Sequence, residues 1–155
     1  MNSMKSPQEI PKSISLRVAS LYLSSLRLSS LGQIDEGRKK LEEALEILSN
    51  MDTQSLRDAE LAVKVSILLF RLLVASRLDQ QAISSLKCLL ERASEFGRRV
   101  LLFCLALLLE PYEPIRSFRL MEDSRSEFKK GFGLDPENLV EVPHQLYSSP
   151  YQLRR

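Results

Sequence analysis

The feature that most constrains this chain is an absence: no proline falls between Pro11 and Pro111, and glycine in that stretch is limited to Gly32, Gly37 and Gly97. Proline breaks a helix interior and glycine loosens one, so a long stretch nearly free of both favours helix. The signature of strands, alternating β-branched residues between turn clusters, is missing, and leucine dominates instead. The chain is predicted to be all-α. Its 155 residues suit one domain. With 44% hydrophobic and 27% charged residues it can bury a core without disulfides or metals.

Helical spacing then divides the chain. Over 13–31, Ser13, Arg17, Ser20, Ser24 and Arg27 form one polar stripe, and Ile14, Val18, Leu21, Tyr22, Leu23, Leu26 and Leu28 supply the apolar surface. A second helix over 35–49 carries the stripe Gly37, Leu41, Ala44, Leu45 and Leu48, with acid-before-base pairs Asp35/Lys39 and Glu36/Lys40 on its outer side. Ser55 followed by Asp58 marks the start of a third helix, 56–77, whose polar stripe is thin: Arg57, Glu60, Lys64 and Arg71. The fourth, 79–96, presents Ala82, Leu86, Leu89, Ala93 and Phe96, and Gly97 is expected as its left-handed cap. The fifth, 98–110, is apolar all round and must be enclosed. The sixth, 117–132, carries Phe118, Met121, Phe128 and Phe132 on one side. The expected organisation is an N-terminal tail (1–12), a helical-repeat domain (13–133) and an irregular C-terminal tail (134–155).

Six helices in three pairs contain an internal echo. Gly37, Leu41, Ala44 and Leu45 align with Ala82, Leu86, Leu89 and Leu90 at an offset of 45, and Phe128 and Gly131 align with Leu86 and Leu89 at 42. The stretch from Leu31 to Ile47 resembles the turn and second helix of a tetratricopeptide repeat. The small, large and small positions fall on Gly37, Leu41 and Ala44, and Leu21, Ser25 and Leu28 precede them on the first helix. Residues 127–138, with Asp135-Pro136 as an exit turn, resemble the end of such a repeat. The offsets exceed the roughly 34 residues of that family. The resemblance implies about three stacked antiparallel helical hairpins, a tetratricopeptide-like α-solenoid with an irregular tail. Each hairpin of such a stack buries its apolar side only against its neighbours. Pentatricopeptide repeats, which bind RNA, share the turn-plus-helix pattern.

Catalytic groupings are not evident. His144 is the only histidine and lies between Pro143 and Gln145 in the tail. Cys88 and Cys104 match no zinc pattern and are expected as free, buried thiols. The carboxylates at Glu42, Glu43 and Glu46 and at Glu122 and Asp123 fit exposed helix faces, and there is no phosphate loop or nucleophile motif. No enzyme activity, metal or cofactor is expected. The net charge of +2 lacks the excess of a dedicated nucleic-acid binder. The longest apolar run, Val100 to Leu109, is half a membrane span, so no span is expected.

What remains is binding. The tetratricopeptide resemblance implies an inner surface of first-helix residues: Tyr22, Leu26 and Ser29 from the first helix, and Ile67, Arg71 and Val74 from the third. These are the candidate peptide-binding residues of a non-catalytic, adaptor-like or chaperone-like protein–protein interaction module. Its partner would be another protein or peptide, met as an extended or helical segment. Two alternatives stay open: an organellar RNA-associated protein of the pentatricopeptide type, and an oligomer or structural subunit of a larger helical assembly. A cytoplasmic location is expected. The single acid and nine serines of residues 1–34 are the composition that would instead mark an organellar transit peptide. Tyr147 and Tyr151, with Leu139, Val142, Leu146 and Leu153, are expected to dock the tail on the last hairpin.

The enclosure of the fifth helix is testable by one substitution. Leu105→Asp should cost on the order of 3 kcal/mol or more by burying an unpaired carboxylate. Unchanged thermal melting, followed by circular dichroism, would show that the fifth helix is not enclosed.

Overall fold

The computed structural model describes residues 9–139, with side chains from residue 14 onward. It contains seven helices and no strand among the described residues: α1 (Glu9–Ser30), α2 (Ile34–Leu48), α3 (Leu56–Ala75), α4 (Asp79–Glu91), α5 (Glu95–Leu109), α6 (Pro114–Phe132) and α7 (Pro136–Leu139). No helix among these residues is long and apolar enough to cross a membrane.

The core is organised on α5. Leu101 and Leu108 are fully buried, and Leu105 is 2% exposed. Of its apolar residues only Leu107 is half-buried, so the all-round apolar helix is enclosed. α3, α4 and α6 pack against it. Arg99 is the charged exception. Its guanidinium meets Glu95 at 3.1 Å and Glu127 at 3.7 Å, and lies 5.6 Å from the centre of the Phe132 ring. It thus ties α5 to α6 through carboxylates and an aromatic face.

α2 follows the spacing residue for residue: Gly37, Leu41, Ala44, Leu45 and Leu48 are its buried positions. Its surface charges pair differently from the expected Asp35/Lys39 and Glu36/Lys40. Arg38 reaches both Asp35 (3.8 Å) and Glu42 (2.8 Å), and Lys39 lies 3.8 Å from Glu36. α1 and α2 cross closely because both crossing residues are small. The Ser25 hydroxyl donates to the Gly37 carbonyl at 2.8 Å. α5 and α6 do the same with Ser117 donating to the Ala106 carbonyl at 2.6 Å. α3 and α4 lie together far less closely. Forty-five residues after Ser25 stands Phe70, whose ring is too large for such a crossing.

The offset of 45 recurs in the backbone. After α1, the Gln33 N–H donates to Leu28 O (2.9 Å) and the Gly32 N–H to Ser29 O (3.0 Å). After α3, the Leu78 N–H donates to Leu73 O (2.9 Å) and the Arg77 N–H to Val74 O (3.1 Å). This is one helix-ending motif used twice, with a left-handed residue at its hinge. Gly32 has φ +84°, and Arg77 takes φ +60° in the same place. The missing turn glycine therefore leaves the turn intact, at the cost of holding an L-residue in a disfavoured region.

Several expectations are corrected. α1 starts at Glu9, not 13, since Pro11 falls in the first turn, where its missing N–H is not needed. α4 stops at Glu91, and Phe96 and Gly97 belong to α5. The reason is Ser94, whose hydroxyl caps the Gly97 N–H at 3.0 Å and donates to Met51 O, while its own N–H bonds Ser49 O at 3.0 Å. Gly97 is thus no left-handed cap; it lets α5 touch the end of α2. α6 starts at Pro114, in its first turn, and Phe118 on it points outward, 64% exposed. The first residues past α6 are not irregular, because α7 packs on α3 and α6 with Pro136 and Leu139 buried. The anchors Val142, Leu146, Tyr147, Tyr151 and Leu153 lie outside the described residues, as does the 1–8 part of the N-terminal segment.

A Cβ on Gly97 would come within 2.6 Å of Ser49 Cα and closer still to its carbonyl, a clash with backbone that no rotamer relieves. Gly97→Ala should cost about 1–3 kcal/mol, read as a lowered midpoint in urea denaturation. An unchanged midpoint would show that α2 and α5 are not in such close contact.

Candidate functional site

The face shared by α1 and α3 is built from its two ends. At one end, Asp58 stands in the first turn of α3, behind the cap made by Ser55, whose hydroxyl accepts from the Asp58 N–H at 3.3 Å. The Asp58 carboxylate is nearly buried and accepts from the Ser15 hydroxyl of α1 (2.8 Å) and from Thr53 (2.7 Å). One carboxylate thereby fastens α1, α3 and the link before α3. At the other end Tyr22 of α1 feels the charge of Arg71 on α3. Burial pushes the phenol's pKa up, and the guanidinium pulls it part of the way back.

Between these ends lies a cavity of about 260 Å³. Leu16 and Ala19 form its α1 wall, and Arg57, Leu61 and Lys64 its α3 wall. Lys64 lies 3.4 Å from Glu60, and Arg57 has no ion-pair partner among the described residues. The floor is apolar, and the α3 side carries the cations Arg57 and Lys64 beside the carboxylates Asp58 and Glu60.

The six residues anticipated for binding stand along the same two helices. Tyr22 and Ile67 are half-buried, Arg71 is exposed, and Leu26 and Val74 are 39% and 45% exposed. Ser29 is half-buried, but its hydroxyl turns back to the Ser25 carbonyl of its own helix at 2.8 Å. It is the least suited of the six to meet a ligand. None of the six belongs to the fully buried core. Leu16, Ala19, Arg57, Leu61 and Lys64 escaped sequence reasoning, although their spacing announces them. Leu16 and Ala19 stand seven residues before Leu23 and Leu26, and Lys64 seven before Arg71, on the same helix sides.

Two larger hollows are present among the described residues. One, of about 410 Å³, sits at the end of α2 among Ile47, Met51 and Asp52. The other, of about 500 Å³, is a dish formed by the single segment Glu113–Arg119. The first is bounded by Ile14 of α1, Ile47 of α2 and Asp58 of α3 and so adjoins the Asp58 end of the α1–α3 face, whereas the second is framed by one segment alone.

Catalytic chemistry has little to work with among the described residues. No group of three or more His, Cys, Asp or Glu side chains there could hold a metal ion; His144 lies outside them. Both cysteines are free, but only Cys104 is buried. Cys88 is exposed, contrary to expectation, because its part of α4 has no neighbour on that side. Cys104 packs on α5 against Ser66 of α3, and burial pushes its pKa from 9.0 up to about 12.

Compared with known proteins, the chain matches no family model, no curated protein and no solved structure.

The thiols give a direct check on this packing. In the native protein at neutral pH a thiol reagent should modify Cys88 within minutes and leave Cys104 untouched until denaturant is added. Because Cys104 stays neutral when folded but ionises near 9.0 when unfolded, it favours the native state fully below that pH. Its contribution should fade as pH rises from 9.0 towards about 12, and Cys104→Ala should flatten the decline. Equal reactivity of both thiols would contradict the enclosure.

Proposed function

We propose that this chain is a non-catalytic interaction module, adaptor-like or chaperone-like, that holds a peptide segment of a partner protein against α1 and α3. The observation that carries it is the groove itself. Two long helices frame an apolar floor, lined by Leu16 and Ala19 on one side and by Leu61 with Arg57, Glu60 and Lys64 on the other, and Leu23 (62% exposed) continues the side of α1 that bears Leu16, seven residues on. Exposed leucines in a row beside fixed charges are what a peptide-binding face needs, since apolar area gives affinity and charge gives register. Tyr22, Leu26, Ile67, Arg71 and Val74 extend the same surface; Ser29 lies at its edge.

The tetratricopeptide-like stack remains the finer form of this proposal. It is supported by the pair of turns at Gly32 and Arg77, which share hydrogen bonds and hinge conformation 45 residues apart. The tight small-residue crossings of the first and last helix pairs also favour it.

Selection of a random peptide library on the immobilised protein tests the groove. Enriched peptides should lose more than about tenfold in affinity with Leu23→Asp, and keep it with Ser84→Asp on the exposed side of α4. No enrichment, or binders indifferent to Leu23→Asp, would overturn the proposal.

A further inference from the structure

One strip of α1 reads Leu16, Ala19, Leu23 and Leu26, at steps of three, four and three residues. That alternation is the seam by which two helices pack knobs into holes. α1 turns Val18, Leu21 and Ser25 into the core, while Leu16, Leu23 and Leu26 on its other side stay 63%, 62% and 39% exposed. The strip carries no charge. Of the residues that flank it, Ser15, Ser20, Tyr22, Arg27 and Ser29, only Arg27 is charged. Identical faces bear identical charges, so an uncharged strip is one that a chain can present to its own copy without repulsion. On the α3 border, Arg57 and Lys64 stand beside Asp58 and Glu60, and Lys64 meets Glu60 at 3.4 Å, so neither sign prevails there.

Side-chain sizes fix the direction of such a pair. Two copies in parallel would set Ala19 on Ala19 and leave a void. Turned antiparallel about a twofold axis, the strip is its own complement. Ala19 receives Leu23 of the second copy, Leu23 receives its Ala19, and Leu16 and Leu26 meet its Leu26 and Leu16. Every layer then holds at least one leucine. We propose that, where no partner peptide is bound, this face is covered by a second copy of the chain, paired antiparallel through α1. The pairing stands on the strip alone; its consequence rests on the peptide-binding proposal above. Both occupants need the same leucines, so self-pairing closes the groove and a peptide enters as the pair separates. The area suits a reversible pair. Even all 22 residues of α1 make a strip only ~33 Å long and ~10 Å wide, well short of the roughly 800 Å² per partner of a standard stable interface.

Sedimentation equilibrium of the full chain tests the pairing. Monomer and dimer should exchange with protein concentration, with little dependence on salt, since no charge pair crosses the strip. Leu23→Asp should leave a monomer whose melting by circular dichroism is unchanged, which shows it to be folded. Ala19→Lys alone and Leu23→Glu alone should each weaken the dimer at least about tenfold. The two together in one chain should restore it, because each lysine then faces a glutamate of the second copy. A monomer at every concentration, a dimer indifferent to Leu23→Asp, or a double variant no better paired than the single ones would overturn the pairing. Peptides selected on the groove should dissociate the dimer; peptides that bind it and leave it intact overturn the shared face. These failures are separable from failure of the groove itself. A monomeric chain whose library peptides still lose affinity with Leu23→Asp keeps the groove and loses the pair. A dimer for which the library yields no binder keeps the pair and loses the groove.

Discussion

An apolar cylinder cannot face water on any side, and α5 is such a cylinder. From Val100 to Leu109 it offers no charge, and nearly every position is buried. Fully burying one leucine stabilises by roughly 1.5–3 kcal/mol, so a helix of this kind recruits every neighbour within reach. α3 covers it from one side, α4 from another and α6 from a third. The single guanidinium that goes inside with it, Arg99, is held by Glu95, Glu127 and the Phe132 ring. Removing those partners while keeping the charge would strand a buried cation, which is a greater cost than the net worth of the pairs.

The demands of α5 decide where the open surface is. α3 is used on several sides, since it packs on α2, α5 and α7. What it has left to expose includes Arg57, Arg71 and Val74, with Lys64 half-buried on the same helix. α1 stands at the edge of the packed helices and has few neighbours beyond α2 and α3. Leu16 and Leu23 therefore keep most of their area in contact with water. The groove lies where the helix packing runs out of neighbours, and Asp58 keeps its two walls together through the Ser15 and Thr53 hydroxyls.

Particular residues show how far the sequence could be read. α2 was fully legible because its two sides differ sharply: five small or leucine positions against a surface of Asp, Glu, Lys and Arg. The boundary between α4 and α5 was not. Gly97 looks like a helix stop when only its chain neighbours are considered, yet its role is set by Ser49, far away in sequence. Phe118 and Cys88 failed in a related way. Phe118 lies on an apolar stripe and Cys88 within an apolar segment, but the structure leaves both exposed. In the groove, Tyr22, Leu26, Ile67, Arg71 and Val74 were in sight, while Leu16, Ala19, Arg57 and Lys64 were passed over. Polar spacing marks which side of a helix is wet; it does not mark how far along the helix two walls stay open.

The residues by themselves determined that the described chain is helical, roughly where most of its helices lie, and that α5 has to be enclosed. Those properties follow from local preferences and from a periodicity confined to single segments. Only tertiary structure decided which helices cross closely, where α4 gives way to α5, that Cys88 is exposed while Cys104 is not, and that leucines and cations share one groove. Each of these depends on contacts between residues distant along the chain, such as Gly97 on Ser49 and Asp58 on Ser15, whose free energy no single segment contains.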